Sequence, residues 1–225
     1  MRYKELIVIG TSHISPVSVK RVEKTIEKEK PAVVALELDR GRFIALISGR
    51  KERLTFSDIR RIGIKGYLFA LLGAWAEKKL GKMVGVSPGS EMVAAIRACH
   101  KLRIPIALID QEIEITLRRF SRALSWAEKA RFAWDLLKTA VLRKGFEFDI
   151  HGVPSQRTIE RLTNQLKKRY PNIYKVLVEE RNDIMAKNLA NLSKRFEGKK
   201  IVAVVGAGHE KEIILLVKNY LKPKK

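Results

Sequence analysis

Two segments at opposite ends of the chain share one construction. Leu6-Ile7-Val8-Ile9 runs into Gly10-Thr11-Ser12-His13, and Ile201-Val202-Ala203-Val204-Val205 runs into Gly206-Ala207-Gly208-His209. Each is an unbroken apolar run, then a glycine turn, then a histidine. Short apolar runs bounded by turn signals read as strands buried on both faces, the habit of parallel sheets covered by helices. Loops that follow such strands lie at the carboxyl edge of the sheet, where ligands bind. Two histidines from opposite ends of the chain would therefore face one site.

The N-terminal third alternates strand and helix. Residues 5–9 read as a strand, and Ser15-Pro16 is a cap with proline at the first helical position, opening a helix to about Lys30 that Pro31 ends. Ala32–Leu36 reads as the next strand and a helix follows from about Arg40. This βαβα order implies parallel pairing with right-handed crossovers. The middle is mainly helical: an interrupted stretch from Ser57 to Lys79, a helix opened by Ser87-Pro88 and running to about Leu102, two helices over 112–144, and two more at about 155–169 and 172–195. Strands are expected at 104–109 and 200–205, a loop at 144–154, and a closing helix at 209–221. The expectation is one α/β domain over 1–225, with a mainly parallel sheet of at least four strands flanked by helices. A helical insertion of roughly 55–195, interrupted by the strand near 104–109, would cap the carboxyl edge.

Composition narrows the setting. The chain has 225 residues, of which 46% are hydrophobic, enough for one large core. Cys99 stands alone in a helical apolar pattern and reads as a buried, inert thiol. No signal peptide or membrane span is visible: the most apolar window, Gly66–Ala76, falls short of the roughly 20 residues a span needs. The net charge of +22 is concentrated around Arg40–Lys65 and Arg118–Lys144. Three readings of it stay open: solvated helix faces, a membrane surface and nucleic acid. The basic stretches have no aromatic interleaving and no nucleic-acid motif, so nucleic acid is the least favoured partner.

All four expected strands end in a residue that can do chemistry: His13, Glu37, Asp110 and His209. Two neutral imidazoles and a carboxylate suit a divalent metal with open positions, able to activate water. The rival reading is an anion-binding loop, because a helix starting near His209 would aim its N–H groups at an anion. A second signal is Glu180-Arg181. Counting from Val176, Leu177 and Ile184, both charges fall inside an apolar helical stripe, where they require a partner or a ligand. Both are expected to be largely buried, with Arg181 directed to the histidine cleft. Glu91 lies in the first turn of the Ser87-Pro88 helix, where an acid also favours the helix dipole. His100 and His151 show no partner pattern.

Together these blocks resemble the TraB family of pheromone-shutdown proteins. The resemblance rests on Gly-Thr-Ser-His at 10–13, Glu-Leu-Asp at 37–39 with Arg42, Gly-Ser-Glu-Met at 89–92, Thr116–Arg119, Glu-Arg-Asn at 180–182 with Met185-Ala186, and Val-Val-Gly-Ala-Gly-His at 204–209. That family is similar to the Tiki proteases, the erythromycin-esterase-like proteins and the ChaN-like proteins. The resemblance implies metal-dependent peptide hydrolysis, with Mn, Co or Zn as cofactor and a peptide as substrate. His13 and His209 would hold the metal and Glu37 would be ligand or general base. Glu91, Glu180 and Arg181 would support them. The alternative is a non-enzymatic module that sequesters or tethers a peptide or ligand at a membrane surface. Gln111 stands where the family often has arginine after the third strand, so one arginine is expected to be missing from the site. Many microbial relatives continue into C-terminal membrane helices. The chain is expected in the cytoplasm, either as a soluble member or associated with a membrane through a C-terminal region absent from it. A homo-oligomer stays open.

Overall fold

The computed structural model describes residues 1–11, 16–49, 59–64, 67, 71, 89–123, 125–128, 131, 134 and 156–222. Its centre is a five-stranded sheet of order β1-β2-β5-β3-β4, formed by β1 (Arg2–Tyr3), β2 (Leu6–Thr11), β3 (Val33–Leu36), β4 (Ile106–Leu108) and β5 (Ile201–Gly206). Every pairing is parallel except β1 with β2. The fold is α/β, as the strand–helix alternation requires. β1 is an addition that the sequence did not announce: two residues carry no readable period.

Helices cover both faces of the sheet. α1 (Pro16–Glu29) and α3 (Ser90–Leu102) pack on one side, where Val22, Ile26, Met92 and Cys99 meet Val34, Leu36, Val202 and Val204. The last two helices, α7 (Glu180–Arg195) and α8 (Glu210–Tyr220), pack on the other, where Met185, Leu189, Ile213 and Val217 meet Val8, Ala35, Ala203 and Val205. The alternation along β5 thus divides one strand between two cores, which is why it had to be apolar at every position. α2 (Arg40–Ser48) closes at Gly49, whose φ of 65° is the left-handed cap that glycine adopts without cost. Between β4 and β5 lie α4 (Ile113–Ala123), α5 (Gln156–Arg169), α6 (Pro171–Tyr174) and a π-turn over Lys175–Glu179 that runs directly into α7.

Differences from expectation are local. The helix attributed to Ser87-Pro88 begins at Ser90, with Gly89 at its cap. The expected 172–195 helix is split by the π-turn. Much of the expected insertion, including 72–88 and the 144–154 loop, lies outside the described residues, as does His151. Among the described residues no helix is long and apolar enough to cross a membrane. Cys99 is fully buried, and burial pushes its thiol up to about 11.

Candidate functional site at the carboxyl edge

β5 brings the edge together. It lies between β2 and β3, with Thr11 in register with Gly206 and Leu36 with Val204. The two Gly-x-x-His loops therefore leave adjacent strands. Thr11 fixes that junction: its carbonyl accepts the Ala207 N–H at 2.8 Å and its hydroxyl donates to Val205 O at 3.1 Å. Beyond Leu36 the chain turns inward, and the Glu37 side chain is only 4% exposed. Glu37 Oε2 accepts the Gly206 N–H at 2.5 Å. Its Oε1 accepts from Arg181 Nη2 at 2.5 Å and stands 3.5 Å from His209 Nε2.

Arg181 arrives from the first turn of α7 and grips a second carboxylate as well. Its Nη2 and Nε lie 2.6 and 3.2 Å from the two oxygens of Asp110, just past β4. Asp110 is fully buried and also accepts from Arg42 Nη2 at 2.6 Å. Arg42 completes the row by donating through Nε to Asp39 at 2.6 Å, while its backbone N–H is capped by the other Asp39 oxygen at 3.0 Å. Asp39, Arg42, Asp110, Arg181 and Glu37 thus alternate in sign along the sheet edge. Three carboxylates against two guanidiniums leave one negative charge beside His209.

The electrostatics follow from burial and pairing. Burial works against the Arg181 charge, but Glu37 and Asp110 outweigh it and hold the guanidinium protonated above its ordinary range. Arg42 is raised in the same way, burial opposing and Asp110 with Asp39 prevailing. Burial alone would raise Asp39; the Arg42 backbone N–H and side chain reverse this and lower it.

His209 is held from its other nitrogen. Nδ1 lies 2.6 Å from Asn182 Oδ1, and Asn182 Nδ2 donates to Glu212 at 2.9 Å. Asn182 is fully buried one residue beyond Arg181, so a single turn of α7 serves both sides of the site.

The residues singled out by sequence divide as follows. Glu37, Arg181 and His209 come together. His13 lies outside the described residues, two positions past Thr11. Glu180 and Arg181 do not form a pair: Glu180 turns to the exposed Arg119, 2.8 Å away, while Arg181 turns to the sheet edge. Both remain partly exposed, Glu180 at 19% and Arg181 at 16%. The Glu180 N–H bonds back to Lys175 O, five residues earlier, so the even helical spacing that placed both charges in one stripe does not hold there. Glu91 is fully buried in the first turn of α3, whereas a dipole-favouring acid would stay wet. His100 is exposed. Arg42, which belongs both to the Glu-Leu-Asp block and to the basic Arg40–Lys65 stretch, supplies a second arginine to the site. Asp39 and Asn182 belong to the Glu-Leu-Asp and Glu-Arg-Asn blocks but carry no expected site role from sequence, and nothing in the sequence points to Glu212. Among the described residues no group of three His, Cys, Asp or Glu side chains gathers as a metal cage.

The fold and this edge define a class: a parallel α/β protein whose polar site is built on strand ends from both termini. The model of the TraB/PrgY/gumN family matches residues 3–213, and the chain belongs to that family. It is 37% identical over 218 residues to an uncharacterized protein of Methanocaldococcus jannaschii, covering 96% of this chain and 54% of that protein. The TraB domain-containing proteins of Homo sapiens and Bos taurus are 25% and 26% identical, each over 90% of this chain and 60% and 59% of their own length. The chain thus spans little more than half of the curated relatives it matches.

Proposed function

We propose that this edge is the site of a metal-dependent hydrolase, a peptidase acting on peptides, with Mn, Co or Zn held by His209, Glu37 and His13. One observation carries the reading: an imidazole nitrogen and a carboxylate oxygen face each other at 3.5 Å beside an excess negative charge. Two ligands of a tetrahedral zinc, each about 2.0–2.1 Å from the ion, stand about 3.4 Å apart. The donor set therefore fits a divalent cation as far as the described residues go.

A bound metal of this kind polarises a carbonyl and lowers the pKa of its water. The protein's own work is arrangement. The Gly206 N–H and Arg181 hold the Glu37 carboxylate from two directions, in place to serve as ligand or base. Arg181 acts through Glu37 and Asp110, since both its carboxylate contacts are within the protein. Asp110 and Arg42 brace Arg181 in turn.

A second reading has its own observation. Both Glu37 oxygens already accept hydrogen bonds within the protein, so the network is self-sufficient without a cation. That favours a module that sequesters a peptide or ligand without cleaving it.

Calorimetric titration of metal-free protein with Mn²⁺, Co²⁺ and Zn²⁺, followed by a quenched-fluorescence peptide library, separates the two. The hydrolase reading expects saturable binding that is lost in His209→Ala and cleavage that depends on the metal. Peptide binding with no cleavage and no metal uptake overturns it in favour of sequestration.

A further inference from the structure

The row Glu212–Asn182–His209 has a direction. A carboxylate only accepts, so the Asn182 group facing Glu212 must be the amide nitrogen. With its nitrogen committed, Asn182 presents Oδ1 to His209 Nδ1 at 2.6 Å. An amide oxygen can only accept there, so Nδ1 must carry the hydrogen. The neutral ring is left with its lone pair on Nε2, the atom that faces Glu37 Oε1 at 3.5 Å.

We infer that Asn182 is a positioning residue that, oriented by Glu212, fixes His209 as the Nδ1–H tautomer and aims its Nε2 lone pair at Glu37. The relay thus makes Nε2, on the Glu37 side of the ring, the electron-pair donor of His209. Asn182 is fully buried, so the amide cannot turn away into water. The use made of that lone pair rests on the metal reading above; the tautomer itself does not.

Long-range ¹H–¹⁵N imidazole spectra of the whole chain in metal-free buffer, above the pH at which the ring is neutral, read the tautomer directly. His209→Gln identifies the signal. The parent is expected to show the Nδ1–H pattern, and Asn182→Ala to lose it. Glu212→Gln, which leaves the buried amide in place, is expected to give a mixture, since Asn182 is then free to turn. The exchanged pair Asn182→Asp with Glu212→Gln is expected to restore the parent pattern, because the new carboxylate accepts from Nδ1–H and the new amide donates to it. In calorimetric titrations with Zn²⁺, Asn182→Ala should weaken binding about 10- to 100-fold, the usual effect of removing a partner that orients a ligating histidine. An Nε2–H parent, a ring that stays doubly protonated, or a Glu212→Gln spectrum identical to the parent's overturns the inference. A parent with the expected tautomer that binds none of Mn²⁺, Co²⁺ or Zn²⁺ upholds the positioning role and overturns the hydrolase reading instead.

Discussion

Arg181→Ala tests whether the alternating row of charges is a structural unit. Breaking a buried ion pair by removing one partner typically costs about 3–5 kcal/mol, because the other charge is left uncompensated. Two features place this site at the lower end. Asp110 keeps the Arg42 guanidinium at 2.6 Å, and Glu37 keeps the Gly206 N–H at 2.5 Å. Arg181 is also 16% exposed, so water relieves part of the loss. A destabilisation of about 3 kcal/mol is expected. In a domain of this size each kcal/mol moves the melting temperature by about 2–4 °C, which gives a drop of about 6–12 °C by differential scanning calorimetry. Arg181→Lys should recover only part of it, since one ammonium cannot span Glu37 and both Asp110 oxygens as the guanidinium does. Glu180→Gln is the control: its partner Arg119 is 57% exposed, and exposed pairs are worth at most about 1 kcal/mol. If Arg181→Ala melts within 2 °C (about 1 kcal/mol or less) of the parent, or no lower than Glu180→Gln, the buried-network argument is wrong.

Two further perturbations probe the edge from its ends. Asp39→Asn keeps a good helix cap but removes the charge paired with Arg42. Because the folded Asp39 pKa is lowered, its stabilisation is present above the unfolded carboxyl value of about 4 and is lost as pH falls below it. Denaturation midpoints against pH should therefore fall less steeply below about pH 4 in the variant, and parallel curves would refute the pairing. Gly10→Ala places a methyl 2.5 Å from Glu210 Oε2 and 3.1 Å from Ala207 Cα. Overpacking of this kind costs about 1–3 kcal/mol. Ala207 Cα must also give by a few tenths of an ångström, so Gly10→Ala with Glu210→Ala should regain only part of the lost melting temperature; full recovery would show that Glu210 alone filled the space.

The sheet was legible because each of its long strands is buried on both faces and so has to be apolar throughout. Ile201–Val205 shows this most plainly, with alternate residues feeding two separate cores. The edge was legible in part for a related reason: Glu37, Asp110 and His209 are the first polar residues beyond those runs, and parallel pairing sends all of them one way. Their bonds were not legible. Arg42 meets Asp110 across 68 positions and Arg181 meets Glu37 across 144, and no local spacing encodes such partners. One local signal was present but unused. Ser125-Trp126-Ala127-Glu128 has capping-box spacing, and Glu128 accepts from the Ser125 N–H while also gripping Asn172 at 2.9 Å.

Glu180-Arg181 marks where periodicity itself gives way. A helical wheel assumes constant rotation per residue, and the π-turn over Lys175–Glu179 breaks that assumption one residue before the charges. After the turn the buried stripe of α7 runs through Asn182, Met185, Ala186 and Leu189. Arg181 and Asn188 lie beside that stripe, seven residues or about two turns apart. They reach the same stretch past β4: Asn188 donates to Ile109 O at 2.9 Å and Arg181 grips Asp110. Within the turn, Leu177 O accepts Arg181 Nη1 at 3.3 Å, so the local backbone helps hold the guanidinium it redirects. Within α7 itself, two residues differ by about 200° of rotation, so Asn182 is buried under His209 while Glu180 turns outward to Arg119. Wide turns of this kind are rare and recur at functional sites. Here the turn sits immediately before two consecutive side chains, Arg181 and Asn182, that reach the two facing groups, Glu37 and His209.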